Sequence, residues 1–180
     1  IATGDDGVHA DANVTISAGT LLITESYEGI EGLTIDITGG SITLVSSDDG
    51  LNAAGGNDSS GFGPFGRDSF AATEGAYIYI AGGIITIDAS SDGIDSNGDL
   101  LISGGEVYVS GPTGSGNGAL DYAGIGTVTG GTVIAAGASG MAQNFDASST
   151  QGVIMVNVGS ASAGSIVTLS DSTGKELLSW

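Results

Sequence analysis

SSDGIDSNGDLLISGGEVYVS, residues 90–110, holds the pattern that organises this chain. It opens with an acid, a Gly, an aliphatic and a polar residue: Asp92, Gly93, Ile94 and Asp95. Leu100 and Ile102 then alternate with Leu101 and Ser103, Gly104-Gly105 interrupts, and Val107 and Val109 resume the alternation against Glu106 and Tyr108. Alternation of period two among β-branched residues is the mark of half-buried strands.

The same unit recurs in both directions. Asp6-Gly7-Val8-His9, Glu28-Gly29-Ile30-Glu31 and Asp49-Gly50-Leu51-Asn52 precede it, and Gly118-Ala119-Leu120-Asp121 and Ser139-Gly140-Met141-Ala142 follow in degraded form. The aliphatic member stands at 8, 30, 51, 94, 120 and 141, in steps of 22, 21, 43, 26 and 21. Each unit has a second landmark: Ala18-Gly19, Gly39-Gly40, Gly82-Gly83, Gly104-Gly105 or Gly130-Gly131. The aliphatic pairs Val14/Ile16, Ile35/Ile37 and Ile78/Ile80 lie before it, and Leu21/Ile23, Ile42/Leu44 and Ile85/Ile87 after it.

Short strands separated by Gly corners in a unit of 21 or 22 residues predict an all-β chain. Its expected fold is a right-handed parallel β-helix, one unit per coil, with equivalent residues stacked ~4.8 Å apart. An antiparallel sandwich also has short strands, but it does not return one residue type to one place in every unit. The long step contains a Gly-rich stretch without alternation, residues 54–75, expected to be a surface loop. The expected division is a β-helix over 1–151 and a C-terminal strand segment over 152–180. In the latter, Val153–Val156, Ile166–Leu169 and Leu177-Leu178 read as strands of a hairpin type, turning at Ser172-Thr173-Gly174. That segment is expected to pack on the end of the helix or on a neighbouring subunit.

Stacking turns the repeat into chemistry. One column would hold Asp6, Glu28, Asp49 and Asp92, with Asp5 and Asp48 just before it. The next would hold His9, Glu31, Asn52, Asp95 and Asp121. Carboxylates one strand apart repel by about 1 kcal/mol per pair in water and by more where partly buried. The chain has 21 Asp and Glu against two Lys and Arg, a formal net charge of −19. Salt bridges cannot neutralise such columns, whereas a hard divalent cation can. Calcium takes six to eight oxygen ligands in irregular geometry, while magnesium keeps its waters and requires an octahedron. The expected ligands are Asp5, Asp6, Glu28, Glu31, Asp48, Asp49, Asn52, Asp92, Asp95 and Asp121, with Gly beside the acids letting main-chain carbonyls reach the ion. Zinc is not expected with one His and no Cys.

Composition excludes other partners. Two basic residues cannot make a nucleic-acid footprint, and an anionic membrane repels the chain. No apolar run reaches the length of about 18 residues needed to span a bilayer. A hydrophobic fraction of 40% argues against disorder. The sequence opens at Ile1 with no signal-peptide pattern, as a processed chain or a fragment of a longer one would.

The strings TGDDGVHAD (3–11), TESYEGIEG (24–32), SSDDGLNAAGG (46–56), SSDGIDSNGDLLISGG (90–105), GNGALDYAG (116–124) and SGMAQ (139–143) resemble a family of bacterial secreted carbohydrate-binding proteins. The resemblance covers roughly residues 3 to 157. It implies a calcium-containing right-handed parallel β-helix, similar in fold to pectate lyases. It also implies calcium at the coil turns, an extracellular location and binding of cellulose-like or acidic polysaccharides, without established lyase activity. Family members usually carry more coils before the stretch at Gly4 and more chain after the equivalent of Trp180.

Catalysis is not expected. A polysaccharide lyase needs a basic residue beside calcium, and Arg67, in the Gly-rich stretch with Phe62, Phe65 and Phe70, is the one Arg or Lys within the coils. Stacked acids meet the carboxylate spacing of a glycosidase anywhere, so that criterion discriminates nothing. One His supports no Ser-His-Asp constellation. For sugar binding the candidates are Tyr79, Tyr108 and Tyr122. Outward positions Thr15, Asp36, Tyr79, Leu101 and Thr127 make no Thr row of the kind that orders ice. The expected function is a non-catalytic, extracellular, calcium-stabilised protein that assembles head to tail into a filament or surface polymer. A monomeric carbohydrate-binding module is the alternative, and a calcium-dependent lyase ranks below both.

Overall fold

The computed structural model describes residues 1–54, 72–162 and 164–180. Arg67, the three Phe near it and most of the 54–75 stretch lie outside the described residues. The chain is all-β. β1 (Val8–His9), β4 (Ile30–Glu31), β6 (Leu51–Ala53), β8 (Ile94–Ser96) and β10 (Leu120–Tyr122) form a five-stranded parallel sheet in that order. A second parallel sheet of seven strands has β11 (Gly126–Val128), β9 (Asp99–Ser110), β7 (Tyr77–Ala89), β5 (Thr34–Ser46) and β2 (Asn13–Ile16) in order. β3 (Thr20–Ile23) pairs with β5, and β12 (Thr132–Ala136) with β9. β13 (Thr168–Ser170) and β14 (Glu176–Ser179) form a separate antiparallel pair. No helix among the described residues is long and apolar enough to cross a membrane.

This corrects the expected right-handed parallel β-helix. The strands lie in two parallel sheets and one small antiparallel sheet, and no closed solenoid forms among the described residues. The reason lies at the Gly pairs. The sequence suggests corners there, but β5 and β7 run through theirs as continuous strands of 13 residues, and β9 through its own as one of 12. Only the register shifts there. The second Gly of each pair has positive φ, 97° at Gly40, 95° at Gly83 and 89° at Gly105, a conformation that Gly adopts without a Cβ penalty. The flanks therefore share one kinked sheet.

Equivalent residues of successive units do lie in register. Ile35, Ile78 and Leu100 are Cα partners in turn, as are Ile42, Ile85 and Val107. These six side chains are at most 1% exposed and form the centre of the core. Each contributes about 1.5–3 kcal/mol of burial. Of the C-terminal expectations, the hairpin forms at β13–β14, with the Gly174 amide donating to the Asp171 carbonyl at the turn. Val153–Val156 is not a strand.

The stack ends differently on its two sides. β1 and β2 have no strand partner on their outer edges among the described residues, whereas residues 1–3 bond along residues 22–25 at the end of β3. On the other side, side chains of residues 143–149 close the edge of β10 and β11. Gln143 Oε1 accepts the Tyr122 amide at 3.0 Å, Asp146 Oδ2 the Gly126 amide at 2.6 Å, and Ser149 Oγ the Val128 amide at 3.1 Å. Residues 143–149 thus cap β10 and β11 against pairing, while β12 has no strand partner beyond β9 among the described residues.

Candidate metal centre

The five-stranded sheet positions the acids. Its ladder runs Val8, Ile30, Leu51, Ile94, Leu120 on one column and His9, Glu31, Asn52, Asp95, Asp121 on the next. The glycines just before it stack closely. A Cβ on Gly50 would lie 2.4 Å from the Gly93 carbonyl oxygen and 2.4 Å from Ile87 Cγ2; one on Gly29 would lie 2.3 Å from the Gly50 carbonyl oxygen. Glycine is needed here for strand-to-strand approach.

The acids before the glycines form their own row. Asp6 Oδ1 accepts the Glu28 amide at 3.3 Å, Asp49 Oδ1 the Asp92 amide at 2.8 Å, and Asp92 Oδ1 the Gly118 amide at 2.5 Å. Each of these carboxylates therefore ties its strand to the next through one oxygen. Glu28 is longer and departs from the row: its Oε1 accepts Asn52 Nδ2 at 2.8 Å. Glu28 Oε2 and Asn52 Oδ1 are buried without a hydrogen-bond partner, a costly state for oxygen atoms.

Two groups of potential ligands result. Asp49, Asp92 and Asp95 bring a carboxylate oxygen each within 4.8 Å of one another, with Asp49 and Asp92 buried. Burial, then the charges of Asp95, Asp48 and Asp92, push the Asp49 carboxyl up to about 9. Burial likewise pushes Glu28 up to about 8, against the Asn52 hydrogen bond. The other group is Asp6, His9 and Glu31. His9 Nδ1 faces Glu31 and Asp6, the latter at 3.2 Å, and its Nε2 faces Asp11 at 3.4 Å. Burial pulls the His9 imidazole down, but Glu31, Asp11 and Asp6 outweigh it and hold it above its ordinary value. Burial lifts Glu31 as well, opposed by His9. A proton on His9 offsets one of the two carboxylates in its group, whereas the Asp49 group offers only hard oxygen, the donor set that suits calcium.

The remaining expected ligands are dispersed. Asp5 is exposed, and Asp5, Asp48 and Asp121 belong to neither group. Asp121 lines a cleft of about 180 Å³ with Asp92, Asp95, Asn97, Asn117 and Tyr122, beside the Asp49 group.

The tyrosines do not make one platform. Tyr79 stands in register with Asp36 and Leu101, Tyr108 with Thr86 and Ile134, and Tyr122 on the five-stranded sheet. Tyr79 Oη lies 3.0 Å from Ser103 Oγ, and Tyr122 donates its hydroxyl to the Asn144 carbonyl. Trp180 stacks on Tyr108, centroids 5.5 Å apart and planes at 7°, which covers one face of that ring. Neither this stack nor the cap by Gln143, Asp146 and Ser149 carries a repeat signal that the sequence could have shown. No known protein family, curated protein or solved structure matches the chain.

Proposed function

We propose that this protein is a non-catalytic, extracellular structural protein that binds calcium between its stacked strands and assembles end to end. The observation that carries the reading is the all-oxygen Asp49, Asp92 and Asp95 group on neighbouring strands. The partnerless buried oxygens of Glu28 and Asn52, on the adjacent strands, support it. A divalent cation would hold Asp49 as a carboxylate despite its burial. The ion would thereby couple the strand after one repeat to the strand after the next. An extracellular setting supplies calcium at the concentrations such modules use. The motif resemblance to calcium-containing carbohydrate-binding proteins points the same way. Calcium at the cleft beside Tyr122 would also be placed to bridge an acidic sugar, which is the route we favour for any polysaccharide contact.

Electron microscopy of the purified protein in calcium and then in chelator tests the proposal. End-to-end particles or filaments in calcium are expected. Monodisperse single particles under both conditions would sink the assembly reading, and an unsaturated product from polygalacturonate would sink the non-catalytic one.

A further inference from the structure

At the open edge, the apolar columns of the stack are one strand short. Val8, Ile16 and Leu21 are only half-buried, while their register partners Ile30, Ile37 and Ile42 are at most 1% exposed. A groove of about 410 Å³ lies there, lined by Val8, Val14, Ile16, Leu21 and Ile42 among others. The converse occurs at the other end. Val153–Val158 reads VIMVNV, a β-forming hexamer with no strand partner among the described residues. Its Val153 packs on the core, while Ile154 is 69% exposed, Met155 57% and Val156 67%. The edge lacks a strand, and the hexamer has β-forming residues but no sheet.

We propose that Val153–Val158 of one copy adds to the outer edge of β2 in a second copy, so that Ile154 and Val156 extend the columns of Val14 and Ile16. The inference rests on the self-association proposed above and names the surfaces that perform it. Charge permits these two surfaces to meet. None of the chain's 21 acids falls between Asp11 and Glu25, nor between Asp146 and Asp171. In a chain of net charge −19, two surfaces can meet closely at low electrostatic cost where neither carries a carboxylate. The contact joins copies because the N-terminal side of the hexamer is held far from β2. The Gln151 amide donates to the Val128 carbonyl on β11, and Val153 packs on the core of its own copy. β11 lies four strand spacings from β2 in its sheet, about 19 Å away. Each copy thus has one acceptor edge and one donor segment at opposite ends, a heterologous contact that propagates. The side-chain cap on β10 and β11 keeps those two strands from competing.

The chain has no Cys, so two single variants give a clean test. Thr15 on β2 and Met155 in the hexamer are both exposed, and the proposed register places them side by side. Thr15→Cys and Met155→Cys proteins are mixed in calcium under mild oxidation. Disulfide-linked heterodimer at least ~10-fold above either homodimer is expected. Val156→Asp should raise the concentration for half-assembly at least ~10-fold and leave the calcium-dependent melting temperature unchanged. If assemblies form but the heterodimer stays at the homodimer level, or if Val156→Asp assembles as before, this docking is wrong and self-association stands. Any other occupant of the β2 edge gives that same result. Only monomers at every concentration would remove both.

Discussion

Acidifying the metal-free protein should make it more stable. Asp49 and Glu28 have ordinary values of 3.8 and 4.5, and burial lifts them to about 9 and about 8. Between those limits the folded chain holds protons that the unfolded chain releases. Stability is therefore full below the ordinary values and falls as pH rises through the window. Each group loses ~1.4 kcal/mol per pH unit, so from about pH 5 to about pH 7.5 the loss is about 3 kcal/mol per group. At 2–4 °C per kcal/mol for a domain of this size, the melting temperature should fall by roughly 10–20 °C. His9 and Glu31, both raised, act in the same direction. Asp171 is lowered, by its Thr173 hydrogen bonds first, and its contribution is already complete above the ordinary Asp value. Calorimetry of protein stripped with chelator and returned to metal-free buffer reads this directly. With saturating calcium the fall should shrink, because the ion favours the carboxylate. A metal-free melting temperature that is flat or rises over this range would refute the reasoning.

Asp49→Asn should keep the bond from the Asp92 amide through its own amide oxygen, hold or raise the metal-free melting temperature near neutral pH, and remove most of the calcium-induced rise; thermal unfolding with and without calcium checks it, and a full rise would acquit Asp49 as a ligand. Gly50→Ala places a Cβ against the Gly93 carbonyl and Ile87 and should cost about 2–4 kcal/mol in urea unfolding, whereas Gly114→Ala, with nothing within 4 Å, should cost almost nothing; equal values would contradict the close stacking. Tyr108→Ala uncovers Trp180, the one Trp of the chain, so its fluorescence should shift to the red without a change in melting of the parallel sheets; an unchanged spectrum would show that the stack does not persist in solution.

What the sequence made legible was register. The acid-Gly-aliphatic-polar motif, returning in steps of 22, 21, 43 and 26, places His9, Glu31, Asn52, Asp95 and Asp121 side by side. The architecture is hidden in the sequence because Gly39-Gly40 and its equivalents look alike whether a strand ends at them or kinks through them. Only hydrogen bonding across the pair distinguishes the two, and it depends on the neighbouring strands. The acid columns were legible as columns, but the division of labour within them was not. That Glu28 turns to Asn52 while Asp49 binds a main-chain amide follows from side-chain length, one methylene more on the Glu. The Asp6, His9 and Glu31 group was half visible, since His9 was seen at the end of its row but its contact with three carboxylates was not. The cap was hidden because Gln143, Asp146 and Ser149 act through side chains on strand edges, where no aliphatic period marks them.

The claim on which the rest depends is that calcium binds within the strand stack and stabilises it. Metal analysis of the gel-filtered protein, paired with thermal unfolding in calcium and in chelator near neutral pH, tests it most directly. The account predicts calcium retained in stoichiometric amount and a melting temperature at least several degrees higher with it. Protein that carries no calcium and melts at the same temperature in chelator would contradict it.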